Sequence, residues 1–262
     1  MKSKKQPVPP VKASALDPTD FARRFAEAAR QQGFRAEPLA EVAGVPLVAH
    51  TKRTSGPRPK IYLSAGIHGD EPAPPLALLR MMETGLFDAR ATWFICPLLN
   101  PTGFTLGTRE NADGVDLNRD YKDLRTSEIA AHVRWLQRQP LFDASFCLHE
   151  DWESTGFYLY ELNPDALPSL ADTMIAAARL HGPIETATLI DGREIDQPGI
   201  IRPAADPLMR ETWPEAIYLS AHHTRRSYTL ETASAQPLEQ RITTQVAAVT
   251  TALAALVSAR AR

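Results

Sequence analysis

The sequence contains few cysteines and no excess of charge of one sign, and both shortages argue against whole classes of protein. Only two cysteines, Cys96 and Cys147, occur in 262 residues, and each lies in an apolar run. Cysteines in that setting are typical of small buried apolar side chains, which argues against a disulfide framework and against a cysteine zinc site. The formal net charge of −2 provides no strong field for nucleic acid or an anionic membrane, so neither is expected as a partner.

The sequence also lacks an apolar run near its start. The first ten residues are rich in lysine and proline and do not resemble a secretion signal or a membrane span, so we expect a cytoplasmic protein. We expect residues 1–15 to form a flexible tail. With 44% hydrophobic and 23% charged residues, 16–262 is expected to fold as a single domain. This domain would comprise an N-terminal helix and hairpin over 16–56 and a core over 57–262.

Apolar runs that alternate with helical patterns predict the fold class. Asp17 is placed to cap a helix that ends near Gln32, and a hairpin with a turn at Ala43-Gly44 follows. Further on, strands are predicted at 60–66, 92–99, 144–148, 156–160, 216–220 and 227–231, and helices at 72–82, 127–138, 165–181 and 236–258. This alternation predicts an α/β fold with a mixed, mostly parallel central sheet and helices on both faces. The connections over 100–121 and 182–215 are unusually long, which indicates a functional loop and a lid-like excursion.

A histidine and a glutamate three residues apart follow the strand predicted at 60–66. Imidazole and carboxylate side chains are a ligand pair that suits zinc, and His68 and Glu71 are therefore candidate ligands. His149 follows another apolar strand in the same way. Because the carboxyl ends of parallel strands meet at one edge of a sheet, the three side chains can meet there and leave a fourth position to water. The alternative for His149 is a partly buried histidine that is bonded to the backbone.

The long loop that begins at Asn100 presents two arginines and an asparagine, Arg109, Asn118 and Arg119. Guanidinium groups bind carboxylates with two parallel hydrogen bonds, and an arginine near a metal can stabilise an oxyanion. The alternative is a loop held together by pairs between these arginines and the neighbouring aspartates Asp113, Asp116 and Asp120.

Glu231 ends the strand predicted at 227–231, where a carboxylate can stand over the edge of the sheet. A carboxylate beside a metal can take a proton from water and return it to a leaving nitrogen, so Glu231 is a candidate general base. The alternative is a surface glutamate. The adjacent His222 and His223 are not expected to bind metal, because neighbours on an extended segment point to opposite faces.

Five motifs in order, HGDE at 68–71, NPxGxxxxxR at 100–109, GVDLNR at 114–119, LHE at 148–150 and LET at 230–232, resemble the zinc metallocarboxypeptidases of the carboxypeptidase A type. The resemblance spans about residues 60–232. It implies one zinc ion per chain on His68, Glu71 and His149, an oxyanion-stabilising Arg109, a carboxylate-binding pair in Asn118 and Arg119, and a general base in Glu231.

The activity that the resemblance implies is hydrolysis of an amide bond next to a free carboxylate in a small peptide. Within this family the chain is similar to the compact bacterial branch, the murein peptide amidases. The likeness lies in the short spacing between Glu71 and His149 and in the residues of the HGDE and DLNR motifs. The chain departs from the usual Asn-Arg-Asn-Phe with Asn-Arg-Asp-Tyr, and an acidic cluster follows His149. Acidic side chains at Asp151, Glu153 and Asp191 could select a basic substrate group or be solvated. For the tyrosine that covers the substrate, Tyr218 and Tyr228 are both open.

Two rival interpretations remain. The chain also resembles the aspartoacylase and succinylglutamate desuccinylase deacylases, whose substrates would be acyl-amino acids with a free carboxylate, although the intact DLNR motif and Arg109 favour a peptidase. The third interpretation is a non-catalytic metal-binding module, which the complete set of candidate catalytic residues argues against. The sequence does not indicate the oligomeric state.

Overall fold

The computed structural model describes residues 16–190, 192–195, 197–203 and 206–259. The predicted tail at 1–15 lies outside the described residues. The helices are α1 (Pro18–Gln31), α2 (Ala73–Glu83), α3 (Pro101–Leu106), α4 (Ser127–Leu136), α5 (Ala171–Ala178), α6 (Glu215–His222) and α7 (Leu238–Ala259). The strands are β1 (Arg35–Val42), β2 (Val45–Lys52), β3 (Lys60–Ser64), β4 (Thr92–Cys96), β5 (Ala144–Asp151), β6 (Tyr158–Leu162), β7 (Leu189–Ile190), β8 (Arg193–Glu194), β9 (Ile200–Ile201) and β10 (Ser227–Ala233). Two short 3-10 turns span Leu117–Arg119 and Pro207–Met209.

Eight strands form one sheet in the order β1-β2-β4-β3-β5-β10-β6-β9, and β7 and β8 pair separately. The central strands β4, β3, β5 and β10 run parallel to one another. The hairpin β1-β2, the β2-β4 pair and the β10-β6 pair are antiparallel, so the sheet is mixed. The predicted α/β fold, with its mixed and mostly parallel central sheet, is confirmed.

Helices cover both faces of this sheet. Successive side chains of a strand point to opposite faces, so an apolar strand presents apolar side chains to the helices on each side. On β3, Ile61 and Leu63 enter the core that α1, α2, α5 and α7 share, whereas Tyr62 enters the core beneath α4 and α6. All three side chains are 0% exposed. Full burial of an apolar side chain contributes about 1.5–3 kcal/mol, so strands that are apolar on both faces stabilise both layers at once.

The long C-terminal helix is the one helix among the described residues whose length and composition would suit a membrane span, over Leu238–Ser258. Its apolar content has another explanation in this fold. The helix packs on α2 and α5 and against β10, and Val249, Ala252 and Leu256 are buried in the first core. A core helix of a sheet protein needs an apolar side of this kind.

Local sequence signals account for the ends of several helices. The side chain of Asp17 accepts a hydrogen bond from the Asp20 backbone N–H at 2.8 Å and caps α1 as predicted. Asn100 caps α3 in the same way through the Gly103 N–H, and Thr126 caps α4. Side-chain oxygens at these positions satisfy backbone donors that have no partner within the helix.

The structure corrects four predictions. Residues 216–220, predicted as a strand, lie in α6, because a short apolar run does not distinguish a strand from a buried helix. The loop at 100–121 contains α3, and the helix predicted at 165–181 is limited to α5. Strand β5 continues past residue 148 to Asp151, because β10 pairs with it as far as the Ala233–Asp151 position. The last difference places His149 inside a strand.

Candidate metal centre

Three predicted ligands meet at the carboxyl edge of the central strands. One nitrogen or oxygen atom from each of His68, Glu71 and His149 lies within 4.8 Å of the others, and all three residues are buried. His68 Nδ1 is 2.5 Å from Glu71 Oε1, and His149 Nδ1 is 3.1 Å from Glu71 Oε2. The sequence therefore folds so that two imidazoles and one carboxylate face a common point.

Two features of the fold keep these side chains in place: the pairing register of β5 and β10, and the close approach of the turn after β3 to α3. Glu231 on β10 pairs directly with His149 on β5, so the candidate base stands one strand away from a candidate ligand. The turn after β3 presses against α3. A Cβ atom added at Gly69 would lie 1.9 Å from the backbone carbon of Gly103, so only a residue without a side chain fits between the two segments.

The donor set fits a metal ion. Ligand atoms at about 2.1 Å from a tetrahedral zinc ion are roughly 3.4 Å apart. The two contacts between a histidine and Glu71, at 2.5 and 3.1 Å, each need to lengthen by less than about 1 Å to match that spacing. Burial alone would raise the pKa of Glu71, but the neighbouring imidazoles of His68 and His149 hold it well below its usual range. The carboxylate is therefore ionised, as a metal ligand must be.

His68 shows that the point favours positive charge. Although burial alone lowers it, the Glu71 carboxylate and a hydrogen bond with Asp116 raise the pKa of His68 to about 8. An environment that attracts a proton to this imidazole also attracts a cation, and the two compete for the same donor atom. His68 and Glu71 are therefore suited to zinc or a similar divalent ion.

Asp116 orients His68, a role that the sequence did not reveal. Its Oδ1 lies 3.2 Å from His68 Nε2, and its Oδ2 accepts from Arg109 Nε at 3.0 Å. With Asp116 on the Nε2 side of the ring, Nδ1 is the nitrogen that faces Glu71 and the donor cluster. The carboxylate of Asp116 also accepts the Asn118 backbone N–H, so one side chain ties a candidate ligand to the loop with the arginines. The only sequence signal was an aspartate within GVDLNR.

Arg109 lies at the edge of the donor cluster. Its Nη1 atom is 3.2 Å from His68 Nδ1 and 3.7 Å from Glu71 Oε1. The predicted alternative, pairing with an aspartate of its own loop, is also observed, because Arg109 binds Asp116. The pair holds a guanidinium group beside the point where a polarised oxygen would need stabilisation.

Asn118 and Arg119 face the same cavity on a 3-10 turn. Asn118 is 8% exposed, and its Oδ1 accepts the Glu215 backbone N–H at 2.9 Å. The Arg119 guanidinium donates to the Asn118 carbonyl at 2.8 Å, and it has no carboxylate within ion-pair distance among the described residues. A guanidinium group without an anionic partner is available for an anionic ligand.

Glu231 is half-buried at the cavity, one strand from His149. Burial and the nearby carboxylates of Glu71 and Asp151 raise the pKa of Glu231 well above its usual range, and the His149 imidazole opposes that rise. Once ionised, a carboxylate with a raised pKa is a stronger base, which suits it to take a proton from water.

A second set of contacts supports His149 from behind. The Gln245 amide on α7 donates to the His149 carbonyl at 2.8 Å and to Thr232 Oγ1 at 2.9 Å. Next to it, Glu150 pairs with Arg241 and accepts the Ala73 N–H at the start of α2. These contacts fix the end of β5 and were not predicted, since Gln245 lies 96 residues from His149.

All seven predicted site residues line one cavity of about 590 Å³. Asp151 and Glu153 line it as well, whereas Asp191 lies outside the described residues. Neither candidate tyrosine reaches the cavity: Tyr228 donates to Glu161 within the first core, and Tyr218 packs on Tyr121. Tyrosines 158 and 160 line the cavity instead. His223, which follows the last residue of α6, lies against Phe142 and is not part of the donor cluster found among the described residues. The segment predicted as extended at this pair is therefore the end of a helix.

Solved structures show where this fold occurs. A protein labelled a metallopeptidase from Shewanella amazonensis superposes with a TM-score of 0.79 and 27% identity, over 90% of this chain and 92% of that chain. A metallo-carboxypeptidase from Burkholderia cenocepacia superposes with a TM-score of 0.68 over 91% of this chain and 68% of that chain. Its identity of 19% shows a shared fold and no more.

A curated relative, Carboxypeptidase SOL1 of Arabidopsis thaliana, is 34% identical over 112 residues, which are 35% of this chain and 23% of that protein. The match thus spans about a quarter of the relative's length. Residues 57–257 match the succinylglutamate desuccinylase/aspartoacylase catalytic domain. These likenesses confirm the predicted resemblance to zinc metallocarboxypeptidases. The family match also supports the predicted resemblance to the related deacylases. The chain belongs to the succinylglutamate desuccinylase/aspartoacylase catalytic-domain family.

Proposed function

We propose that this protein is a zinc-dependent hydrolase that cleaves an amide bond next to a free carboxylate in a small peptide, as a carboxypeptidase or murein-peptide amidase does. One observation carries the proposal: the donor cluster, the half-buried Glu231 and the donors of Arg119 and Asn118 line the same cavity. A metal site alone would serve storage or structure. A metal site beside a base and a guanidinium group that has no carboxylate partner among the described residues suits hydrolysis of an anionic substrate.

The chain's own residues divide the work. Arg119 and Asn118 would bind the substrate carboxylate and so place the scissile bond near the donor cluster. Arg109 would donate to the carbonyl oxygen as negative charge develops on it. Glu231 would take a proton from the attacking water and deliver it to the leaving nitrogen. Bound zinc supplies a Lewis acid that polarises a carbonyl group and acidifies water.

The first test combines metal analysis with a hydrolysis screen. We expect one zinc ion per chain, and activity on some member of a panel of dipeptides, cell-wall peptides and N-acyl amino acids. We expect Glu231→Gln to keep its metal and to lose about 10²–10⁴-fold in kcat. The matched control is Glu161→Gln, because Glu161 is also a glutamate on a strand of the sheet, but it is fully buried, bonds to Arg202 and does not line the cavity. Equal activity of the Glu231 variant and wild type would refute the assigned base.

A second candidate function is deacylation of N-acyl amino acids, which the match over residues 57–257 favours. The same panel separates the two, because a deacylase cleaves acyl-amino acids faster than the corresponding dipeptides. A protein that binds zinc and cleaves no member of the panel would be the non-catalytic module. We further propose that the protein acts in the cytoplasm, which fractionation of cells that express the tagged chain would check.

A further inference from the structure

A buried network of polar side chains lies behind the cavity and has no part in the chemistry proposed above. Its centre is Glu215, the first residue of α6, which is 1% exposed. The Glu215 carboxylate accepts hydrogen bonds from the Tyr62 hydroxyl at 2.6 Å and from the Ser64 hydroxyl at 2.8 Å. Both hydroxyls come from one face of β3, the strand that leads into His68. The start of α6 is therefore tied to the centre of the sheet.

With Glu215 in its ionised form, which only accepts, one consistent set of hydrogen-bond directions runs through the network. Burial lowers the pKa of His132 to about 3, so this ring is neutral and has one donor and one acceptor nitrogen. Tyr62 donates to Glu215, so its oxygen accepts from His132 Nε2, which lies at 2.9 Å. The other nitrogen, Nδ1, then accepts from the Tyr121 hydroxyl at 2.8 Å. The chain of donors runs from Tyr121 through His132 and Tyr62 to Glu215.

The backbone of Glu215 meets the candidate carboxylate-binding residue directly. Its N–H lies 2.9 Å from Asn118 Oδ1. A backbone N–H can only donate, so the atom of the Asn118 side chain that faces it must be the oxygen. The Asn118 NH2 group is thereby left for the cavity, which Asn118 lines. A substrate carboxylate needs donors, and the opposite amide orientation would present it with an oxygen.

The network closes on the segment that carries Asn118. Tyr121 lies three residues beyond Asn118, and its backbone N–H donates to the Trp213 carbonyl just before α6. The loop with Asn118 and the start of α6 are thus joined directly, and again through Tyr121, His132 and Tyr62. A buried carboxylate is a costly way to hold a helix in place, because it must be desolvated, whereas apolar packing would serve at lower cost.

We propose that Glu215 is a positioning residue for substrate binding: held by Tyr62 and Ser64, it fixes the Asn118 amide with its NH2 group toward the substrate carboxylate. The inference rests on the proposed function. It assigns Glu215 to binding of the free carboxylate and not to bond cleavage. The substrates would carry a free carboxylate, which accepts hydrogen bonds from the neutral Asn118 amide and from the Arg119 guanidinium.

The test measures KM and kcat separately on the best substrate of the panel, as the free acid and as its C-terminal amide. We expect Glu215→Ala to raise KM for the free acid about tenfold, the effect of weakening one hydrogen bond to a charged group, with kcat within about twofold. The preference for free acid over amide should fall by the same factor. Glu215→Gln, which keeps one acceptor oxygen, should restore most of the loss.

A merely structural role is excluded by a double-mutant cycle and a matched control. In an Asn118→Ala background, Glu215→Ala should change KM by less than about twofold, because coupled residues are not additive. The control is Ser145→Ala, which removes another buried hydroxyl. Ser145 on β5 donates to the Ser227 hydroxyl on the adjacent strand β10, and its loss should leave KM unchanged. If Glu215→Ala does not fold, Tyr62→Phe removes a donor to the same carboxylate and gives the same readout.

Two outcomes would overturn the inference. One is a fall in kcat with KM unchanged, and the other is a full additional KM effect of the Glu215 variant in the Asn118→Ala background. Failure of the proposed function looks different, because then wild type cleaves neither the acid nor the amide form of any panel member.

Discussion

Gly69→Ala tests whether the tight contact beneath the HGDE turn holds the metal donors in place. The added Cβ would lie 1.9 Å from the Gly103 carbon and 2.3 Å from the Gly103 oxygen. Ordinary van der Waals contact of a Cβ atom begins at 3.4 Å, so the turn and α3 must separate by about 1.5 Å to regain it. Both neighbours are backbone atoms, so no side chain can rotate out of the way. We expect a loss of about 1–3 kcal/mol in the free energy of unfolding.

The same displacement should weaken metal binding, because Gly69 lies between His68 and Glu71. A shift of about 1.5 Å is larger than the roughly 1 Å adjustment by which the donors accommodate an ion, so we expect metal affinity to fall about 10–100-fold. Urea unfolding measures the first quantity, and competition with a zinc-binding dye measures the second. Gly182→Ala is the matched control, since its Cβ would meet only side-chain atoms, the Gln240 amide at 3.0 Å and the Thr244 hydroxyl at 3.3 Å. Wild-type stability and affinity in Gly69→Ala would refute the reasoning.

Three further predictions follow from single contacts. His149→Ala should abolish zinc retention and His223→Ala should keep it, because of the two residues only His149 belongs to the donor cluster. Metal content after dialysis measures retention, and the reverse pattern would overturn the ligand assignment. Arg119→Ala should raise KM about tenfold or more with a smaller change in kcat; equal losses on carboxylate and amidated substrates would contradict that role. Hydrogen bonds from Arg125 and Thr126 lower the pKa of Asp120 against the effect of burial, so its stabilisation is present above the unfolded pKa of about 3.9 and is lost as pH falls through the lower folded pKa. Urea unfolding from pH 7 to pH 2 should show a smaller acid-dependent loss in Asp120→Asn than in wild type, because other carboxylates with a lowered pKa, such as Glu71, still contribute; an equal loss in both would contradict the assignment.

Much of the fold could be predicted because its signals are local. The Asp17 cap and the Ala43-Gly44 turn act within a few residues, and apolar runs at β3, β4 and β5 are typical of strands that are buried on both faces. The error at α6 has a local cause as well. Its buried run of Ile217, Tyr218 and Leu219 has no polar break, so periodicity could not separate helix from strand.

The candidate ligands were predictable for a related reason. His68 and Glu71 lie in the turn that follows β3, and His149 lies near the carboxyl end of β5; neighbouring parallel strands bring such positions together. The residues that orient them were not predictable, because Asp116 and Gln245 act through contacts with residues 48 and 96 positions away. Sequence spacing carries no information about such pairs.

The sequence by itself determined which chemical groups are present, the strand edges that deliver them and the family that their order resembles. Only the tertiary structure decided which atoms face one another. It set Glu231 beside His149 through strand register, turned His68 Nδ1 toward the donor cluster through Asp116, and oriented the Asn118 amide through the Glu215 N–H. The physical reason is that hydrogen bonds act over about 3 Å, a distance that only folding establishes between segments far apart in the chain.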